Sequence, residues 1–394
     1  MKLKRISYLF SQPHQIFFAL GLFNSILFMA IFALSFLGKV HFMIDSRLIH
    51  SYSMIFLVFS SFFLGFTYTT FPRFSSGFPI PLKSYSLSWL FMVLATVSFI
   101  ASLWIKEAFF AVTVFVALAF ANTIKIFLPI FKQAPQPKDD QYWIIVAFGM
   151  GALSNILFLL YQIPCAKCNI EIFKSYGVDI GFYLYTIFLA VVIGFRMVPF
   201  FSHCYHYQKS NYFHKLLFGL LLGFVLLENY YPKYSFLMSF FASLLVLREL
   251  FRVSLPFPNK EPLLWGLHIG LFWLFFGLFI GSIVQFGSAW FGYSSLRLPL
   301  HLLALGFLTS IFVAFGTRVT LGHSQNTLKL DKFGVGLFYF TQIVVLFRVA
   351  LSLFNLSKVF ESLFIISVLA WVLLFLLWSF KYGKALLFGA KLSK

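Results

Sequence analysis

The stretch SLFIISVLAWVLLFLLWSF, residues 362–380, decides the fold. It runs nineteen residues without a charged side chain. A helix rises about 1.5 Å per residue, so about 20 residues span the roughly 30 Å hydrocarbon core of a bilayer. Runs of the same kind recur along the chain. The hydropathy pattern predicts about twelve spans, near 15–38, 48–71, 85–105, 108–131, 142–162, 178–201, 212–228, 234–252, 262–285, 296–317, 332–354 and 359–381. The composition agrees: of 394 residues 61% are hydrophobic and 10% charged, against about 25% charged in soluble domains, and the mean hydropathy is +0.91. A soluble globular protein, a disordered chain and a disulfide scaffold are excluded. So is an outer-membrane barrel, whose strands alternate and run only about ten residues. The expected fold class is all-α: a polytopic transmembrane helical bundle of about 12 helices, forming a single integral membrane domain over residues 1–394. The connections are too short for a soluble domain.

The net charge is +19, from 30 Lys and Arg against 11 Asp and Glu. In a soluble protein that excess would suggest nucleic acid. Here the basic residues lie between apolar runs, so no nucleic-acid partner is expected and the charge reads as topology. Alternate loops differ: one side collects Lys2, Lys4, Arg5, Arg73, Lys132, Lys138, Arg248, Arg252, Lys329 and Lys381, among others, and the other holds fewer, such as Lys39, Arg47, Lys106, Lys174 and Arg297. Both termini are therefore expected to face the cytoplasm. The basic start, Met1 to Phe10, leads into an apolar run too long for a signal-peptide core, and reads as an uncleaved first span.

Spans 2, 6 and 10 each end at the cytoplasmic side in a related motif: Thr-Phe-Pro-Arg-Phe at 70–74, Gly-Phe-Arg-Met-Val-Pro-Phe-Phe at 194–201, and Gly-Thr-Arg-Val-Thr-Leu-Gly-His at 316–323. The interval is four helices each time. Three four-helix units and convergent helix-end chemistry are both open readings.

The nine histidines are the main carriers of chemistry. Neutral imidazole is the commonest protein ligand for metals and a proximal ligand of haem iron, and ionisable groups inside a membrane are costly. His50 and His301 lie about one turn inside the outer ends of spans 2 and 10, at matching depth. Two facing imidazoles there would hold one haem axially. Arg47 and Arg297, one turn before each, would then meet its propionates. The alternative is a set of ordinary snorkelling interfacial residues. His268 in span 9, with Trp265 placed on the same face, is a ligand candidate or a hydrogen-bonding partner of a neighbouring helix. His323, just after span 10 beside Arg318, suits a phosphate, a propionate or a metal, or is a plain interfacial residue. His203, Cys204 and His206 form a loop cluster whose types suit copper, although such clusters are often incidental. His14, His41 and His214 read as structural. Cys165 and Cys168, in an outer loop, suit a local disulfide or free thiols. Lys125 and Arg196 lie close enough to the cytoplasmic end to snorkel, whereas Arg348 is deeper and expected to face the bundle interior. No carboxylate lies deep in the predicted spans, which argues against a proton-coupled transporter.

These contexts resemble one family. Leu298-Pro-Leu-His301-Leu-Leu-Ala-Leu-Gly306, continuing through Gly316-Thr-Arg318-Val-Thr-Leu-Gly322-His323, is similar to the most diagnostic stretch of the NnrS family. Leu267-His268-Ile-Gly resembles its preceding span, Arg196-Met-Val-Pro199-Phe-Phe201 its Arg-Val-Ile-Pro-Phe-Phe motif, and His50 with Met54, Phe56 and Gly65 to Pro72 its second span. The resemblance covers nearly the whole chain. It implies a haem- and copper-containing bacterial inner-membrane protein of nitric oxide metabolism and tolerance to nitrosative stress, and carries over His50, His268, His301, His323, Arg196 and Arg318 as functional positions. One departure stands out. The family's second span usually reads Trp-His-x-His-Glu-Met, whereas this chain has Ile49, Tyr52 and Ser53 at the Trp, second His and Glu positions. The helix count also resembles the catalytic subunit of haem-copper oxidases, where spans 2 and 10 supply axial histidines. The His-His pair and His-x-x-x-Tyr of the oxidase copper site are missing, so oxygen reduction is not expected.

The expected function is thus haem b binding, with copper as a second cofactor, in the response to nitric oxide or a related small molecule, by a protein held in membrane lipid rather than a classical enzyme. His50, His301, His268 and His323 are the candidate metal ligands, and Arg47, Arg297, Arg196 and Arg318 the candidate cofactor-binding cations. A secondary transporter of a metal, haem or small solute is the alternative. A cofactor-free assembly factor is a third. The sequence identifies no electron donor.

Overall fold

A computed structural model describes residues 8–164, 169–293, 295–353 and 359–392. The pair Cys165 and Cys168 lies outside the described residues. Among the described residues there are twelve long helices and no strand: α1 (Pro13–Phe36), α2 (Ser46–Phe74), α3 (Leu82–Ser102), α4 (Ala108–Gln133), α5 (Asp139–Tyr161), α6 (Ile170–Phe201), α7 (Phe213–Tyr230), α8 (Pro232–Val253), α9 (Pro262–Phe291), α10 (Leu298–His323), α11 (Lys332–Leu353) and α12 (Phe360–Phe388). Eleven are long and apolar enough to cross a membrane. The twelfth, α8, carries Lys233 at its start and Arg248, Glu249 and Arg252 near its end. The protein is a multi-pass helical membrane bundle.

Helix starts and stops follow local chemistry. Proline opens α1, α8 and α9, where the missing N–H has no helical partner to lose. Asp45 caps α2 by accepting from the Arg47 and Leu48 N–H groups at 3.0 and 3.2 Å. Several helices outrun the hydropathy pattern, because polar turns at the interface are still helical. The largest such change is in α6, which begins at Ile170 and so places Asp179 well inside the helix.

The chain forms two compact units, one of residues 1–189 with 383–390 and one of 190–382 with 391–394. In the first, glycines set close helix approaches. A Cβ on Gly65 of α2 would sit 2.8 Å from Phe17 of α1, and one on Gly151 of α5 2.9 Å from Phe120 and Tyr185. The interior is largely aromatic, with Tyr52, Phe56, Phe120, Tyr185, Phe148, Phe127 and Phe71 in a continuous series of ring contacts.

In the second unit α9 and α10 run antiparallel, with Gly281 against Pro299, Gly277 against Leu303 and Gly270 against Ile311. Small residues permit this approach, as they do generally between membrane helices. Trp273 of α9 covers Gly306 of α10 and donates its indole N–H to Gln342 of α11 at 2.7 Å. At the end of α10, Lys391 donates to the Ser324 and Gln325 carbonyls.

Three helices are distinguished by burial. The apolar windows of α2, α6 and α10 are 89%, 89% and 83% buried, whereas no other candidate span exceeds 50%. The same three contain π-helical segments: Ser53–Phe59, Ile180–Ile187 and Leu302–Thr309. A π turn adds a residue to the helical register. In two of them a hydroxyl supports it: Ser60 donates to the Ile55 carbonyl and Thr309 to the Ala304 carbonyl, each five residues back and at 2.8 Å. The helices ending in related sequence motifs therefore also share burial and backbone form, at an interval of four helices.

Candidate functional site

His50 and His301 each stand shortly before a π segment. In the first unit His50 is half-buried and its ring stacks on Phe32 of α1, with centroids 4.3 Å apart and planes at 26°. Arg47, one turn earlier, is exposed.

Tyr52, where the related motif has its second histidine, faces elsewhere. It is fully buried, donates its hydroxyl to Asn155 Oδ1 at 2.7 Å, and is enclosed by Phe56, Phe99, Phe109 and Phe158. Asn155 in turn donates to the Thr113 carbonyl at 2.7 Å. The phenol is committed to this pair, so Tyr52 is a poor metal ligand.

In the second unit His301 is half-buried at the start of α10. Its Nδ1 lies 2.9 Å from the Arg297 carbonyl and 3.1 Å from Arg348 Nη2. Arg297 is exposed and adopts a left-handed backbone, φ +58°, at the helix N-cap. It meets His301 through its carbonyl, not through the shared helix face that the sequence spacing suggested. Arg348, expected to face the interior, donates to the Leu296 carbonyl and to Ser352.

Toward the other end of the same unit, His268 is completely buried on α9. Its Nε2 is 2.7 Å from Ser202 Oγ, while Nδ1 is buried without a hydrogen-bond partner. A buried N–H left unpaired costs more than an unpaired lone pair in an apolar pocket, so the favoured tautomer has Nε2–H donating to Ser202 and a bare lone pair on Nδ1. That is the donor chemistry a metal requires. Trp265 does not join it: the indole packs on Phe338 and Tyr339 of α11. Arg318 stacks over Phe201, next to Ser202, at 4.0 Å, a cation–π contact that holds a half-buried guanidinium. Phe201, Ser202, His268 and Arg318 thus form one neighbourhood, although they come from widely separated points of the sequence. His323 ends α10 and, like Arg196, is half-buried.

The loop after α6 is tied down by residues that sequence reasoning missed. Glu249, completely buried on α8, accepts from Tyr207 at 2.8 Å and from the Ser210 N–H at 3.0 Å, and Arg252 donates to the Gln208 carbonyl at 2.9 Å. Cys204 is buried while His203 and His206 are exposed, so this trio does not present one ligand face. Burial pushes the Cys204 thiol above its ordinary value. Asp179 corrects the reading that carboxylates are confined to span ends, since it lies buried ten residues into α6; Glu249 is buried near the end of α8, as that reading expected.

The model of one protein family, described as NnrS protein, matches residues 8–388. The chain belongs to the NnrS family. In this NnrS chain His50, His268 and His301 lie on α2, α9 and α10. Among curated proteins none matches it.

Proposed function

We propose that this NnrS protein binds haem b and acts in the response to nitric oxide at the bacterial inner membrane, with both termini in the cytoplasm. The observation that carries the reading is His301: its Nδ1 is held at the Arg297 carbonyl at 2.9 Å, the outer contact typical of a ligating histidine. His50 is retained as a second imidazole ligand on its sequence position, and its stacked, half-buried ring suits that role. Arg47 and Arg297 are exposed at the ends of those helices, where they can meet anionic propionates. When bound, haem would supply one-electron chemistry, and a site for a diatomic gas where one of the two imidazoles gives way to it.

The copper reading is narrower. Tyr52 does not fit as a ligand, which leaves His268, through its bare Nδ1, and His323 as donors. Arg318 and Arg196 supply positive charge at the cytoplasmic ends of α10 and α6.

The test is the absorption spectrum of detergent-purified protein, oxidised, dithionite-reduced and nitric oxide-treated, with haem and copper assayed on the same sample. Sharp reduced bands that vanish in His301→Ala, and shift with nitric oxide in the parent protein, are the expected result. Full haem retention in both His50→Ala and His301→Ala would overturn the assignment. A second reading, secondary transport, is favoured by Asp179, buried inside α6, since buried intramembrane carboxylates serve proton relays. Cofactor-free protein that moves a solute, with loss in Asp179→Asn, would replace the first reading.

A further inference from the structure

We propose that Arg348 is a positioning residue for His301, fixing which imidazole nitrogen is presented to a ligand. This rests on His301 being the haem ligand proposed above. Leu296 and Arg297 are consecutive non-glycine residues with positive φ, +47° and +58°. Side chains rarely adopt this backbone, and it persists only where neighbours hold it. Arg348 does so from α11. Nη2 donates to the Leu296 carbonyl, and Nη1 is anchored one turn along its own helix by Ser352. The turn so held aims the next carbonyl, that of Arg297, at His301, where it receives both the backbone N–H at 3.2 Å and Nδ1 at 2.9 Å.

A carbonyl oxygen has only lone pairs to offer. Its approach to Nδ1 is attractive only if the ring proton sits on Nδ1. Nδ1 lies nearer the Arg297 carbonyl, at 2.9 Å, than Arg348 Nη2, at 3.1 Å, and Nη2 already donates to the Leu296 carbonyl. The consequence is a neutral ring with Nδ1–H toward the backbone and an unprotonated Nε2 directed away from it. The planar fork of arginine matters here, because a single ammonium does not reproduce its two-directional grip on Leu296 and Ser352. Arg348 donates to a carbonyl and a hydroxyl rather than to a carboxylate.

The experiment uses the full chain in lipid nanodiscs with 15N-labelled histidine, haem-free, with His301→Gln assigning the resonance. The expected spectrum shows His301 protonated at Nδ1 and unprotonated at Nε2, and a mixture of tautomers in Arg348→Gln and in Arg348→Lys. Hemin titration should give an apparent Kd about 10–100-fold weaker in both variants and a smaller loss in Ser352→Ala, which keeps the guanidinium. An Nε2-protonated ring in the parent protein, with Arg348 donating to Nδ1, would overturn the proposal. So would unchanged tautomer and hemin affinity in Arg348→Gln. If the Arg348 variants do not fold, the parent spectrum and Ser352→Ala decide the question. Unchanged hemin affinity in His301→Ala, with the Nδ1–H tautomer seen in the parent protein, would remove the haem reading and leave the positioning role standing.

Discussion

Tyr52 shows what one residue decides. Its hydroxyl donates to Asn155 inside an aromatic enclosure. In Tyr52→Phe the ring packing survives but Asn155 Oδ1 is left buried without that donor, which costs about 1–3 kcal/mol. The expected outcome is a lower thermal midpoint in detergent at unchanged haem content. Tyr52→His supplies the residue type that the resemblance implied, but not its surroundings. Metal analysis should find no added copper, and a stoichiometric gain would show that the enclosure can open to make a site. Much was legible here, since the histidine contexts and the Tyr52 departure are local words in the sequence. What hid was partnership. Ser202 is unremarkable in sequence, and only folding sets it 2.7 Å from His268.

At the scale of elements, α9 and α10 are joined through glycines whose hydrogens alone fit. A Cβ on Gly306 would lie 2.6 Å from the Trp273 indole, itself held by Gln342. Gly306→Ala should destabilise the protein by about 1–3 kcal/mol, as overpacking does. Gly336→Ala on α11, where nothing lies within 4 Å, should instead be neutral or stabilising by up to roughly 1 kcal/mol. Thermal unfolding of the two variants side by side checks the pair, and equal shifts would refute the packing account. Hydropathy located these helices well because bilayer thickness dictates length. It could not place their faces. The π turns in α2, α6 and α10 each add a residue to the register, so a regular 3.6-residue wheel misassigns side chains beyond them.

For the whole molecule, orientation is the first prediction. A fluorescent protein fused after Lys394 should fold and fluoresce if the C-terminus is cytoplasmic, while a phosphatase fusion there should be inactive; the reverse pattern would place the C-terminus on the other side of the membrane. Acid sensitivity is the second. Burial pushes the Asp331 carboxyl up, but the Lys381 ammonium and the Gly334 N–H outweigh it and hold the group below its ordinary value. A carboxyl with a depressed folded-state pKa adds stability above its unfolded value of about 3.9 and loses it as pH falls through the folded value. The thermal midpoint should therefore drop as pH is lowered from 5 to about 3, and less steeply in Lys381→Met. Parallel profiles for the two proteins would count against this tether of α12 to the start of α11.

The sequence by itself determined that this is a twelve-helix membrane protein and which family it belongs to, because length, hydropathy and motif are written along the chain and the bilayer reads them segment by segment. Only the tertiary structure decided that Arg348 meets His301, that Ser202 meets His268, that Asp179 and Glu249 are buried within helices, and that Tyr52 is walled in. Each of those outcomes depends on which turns of distant helices come level, and that register is set by glycine contacts, π turns and side-chain volumes acting together rather than by any one segment.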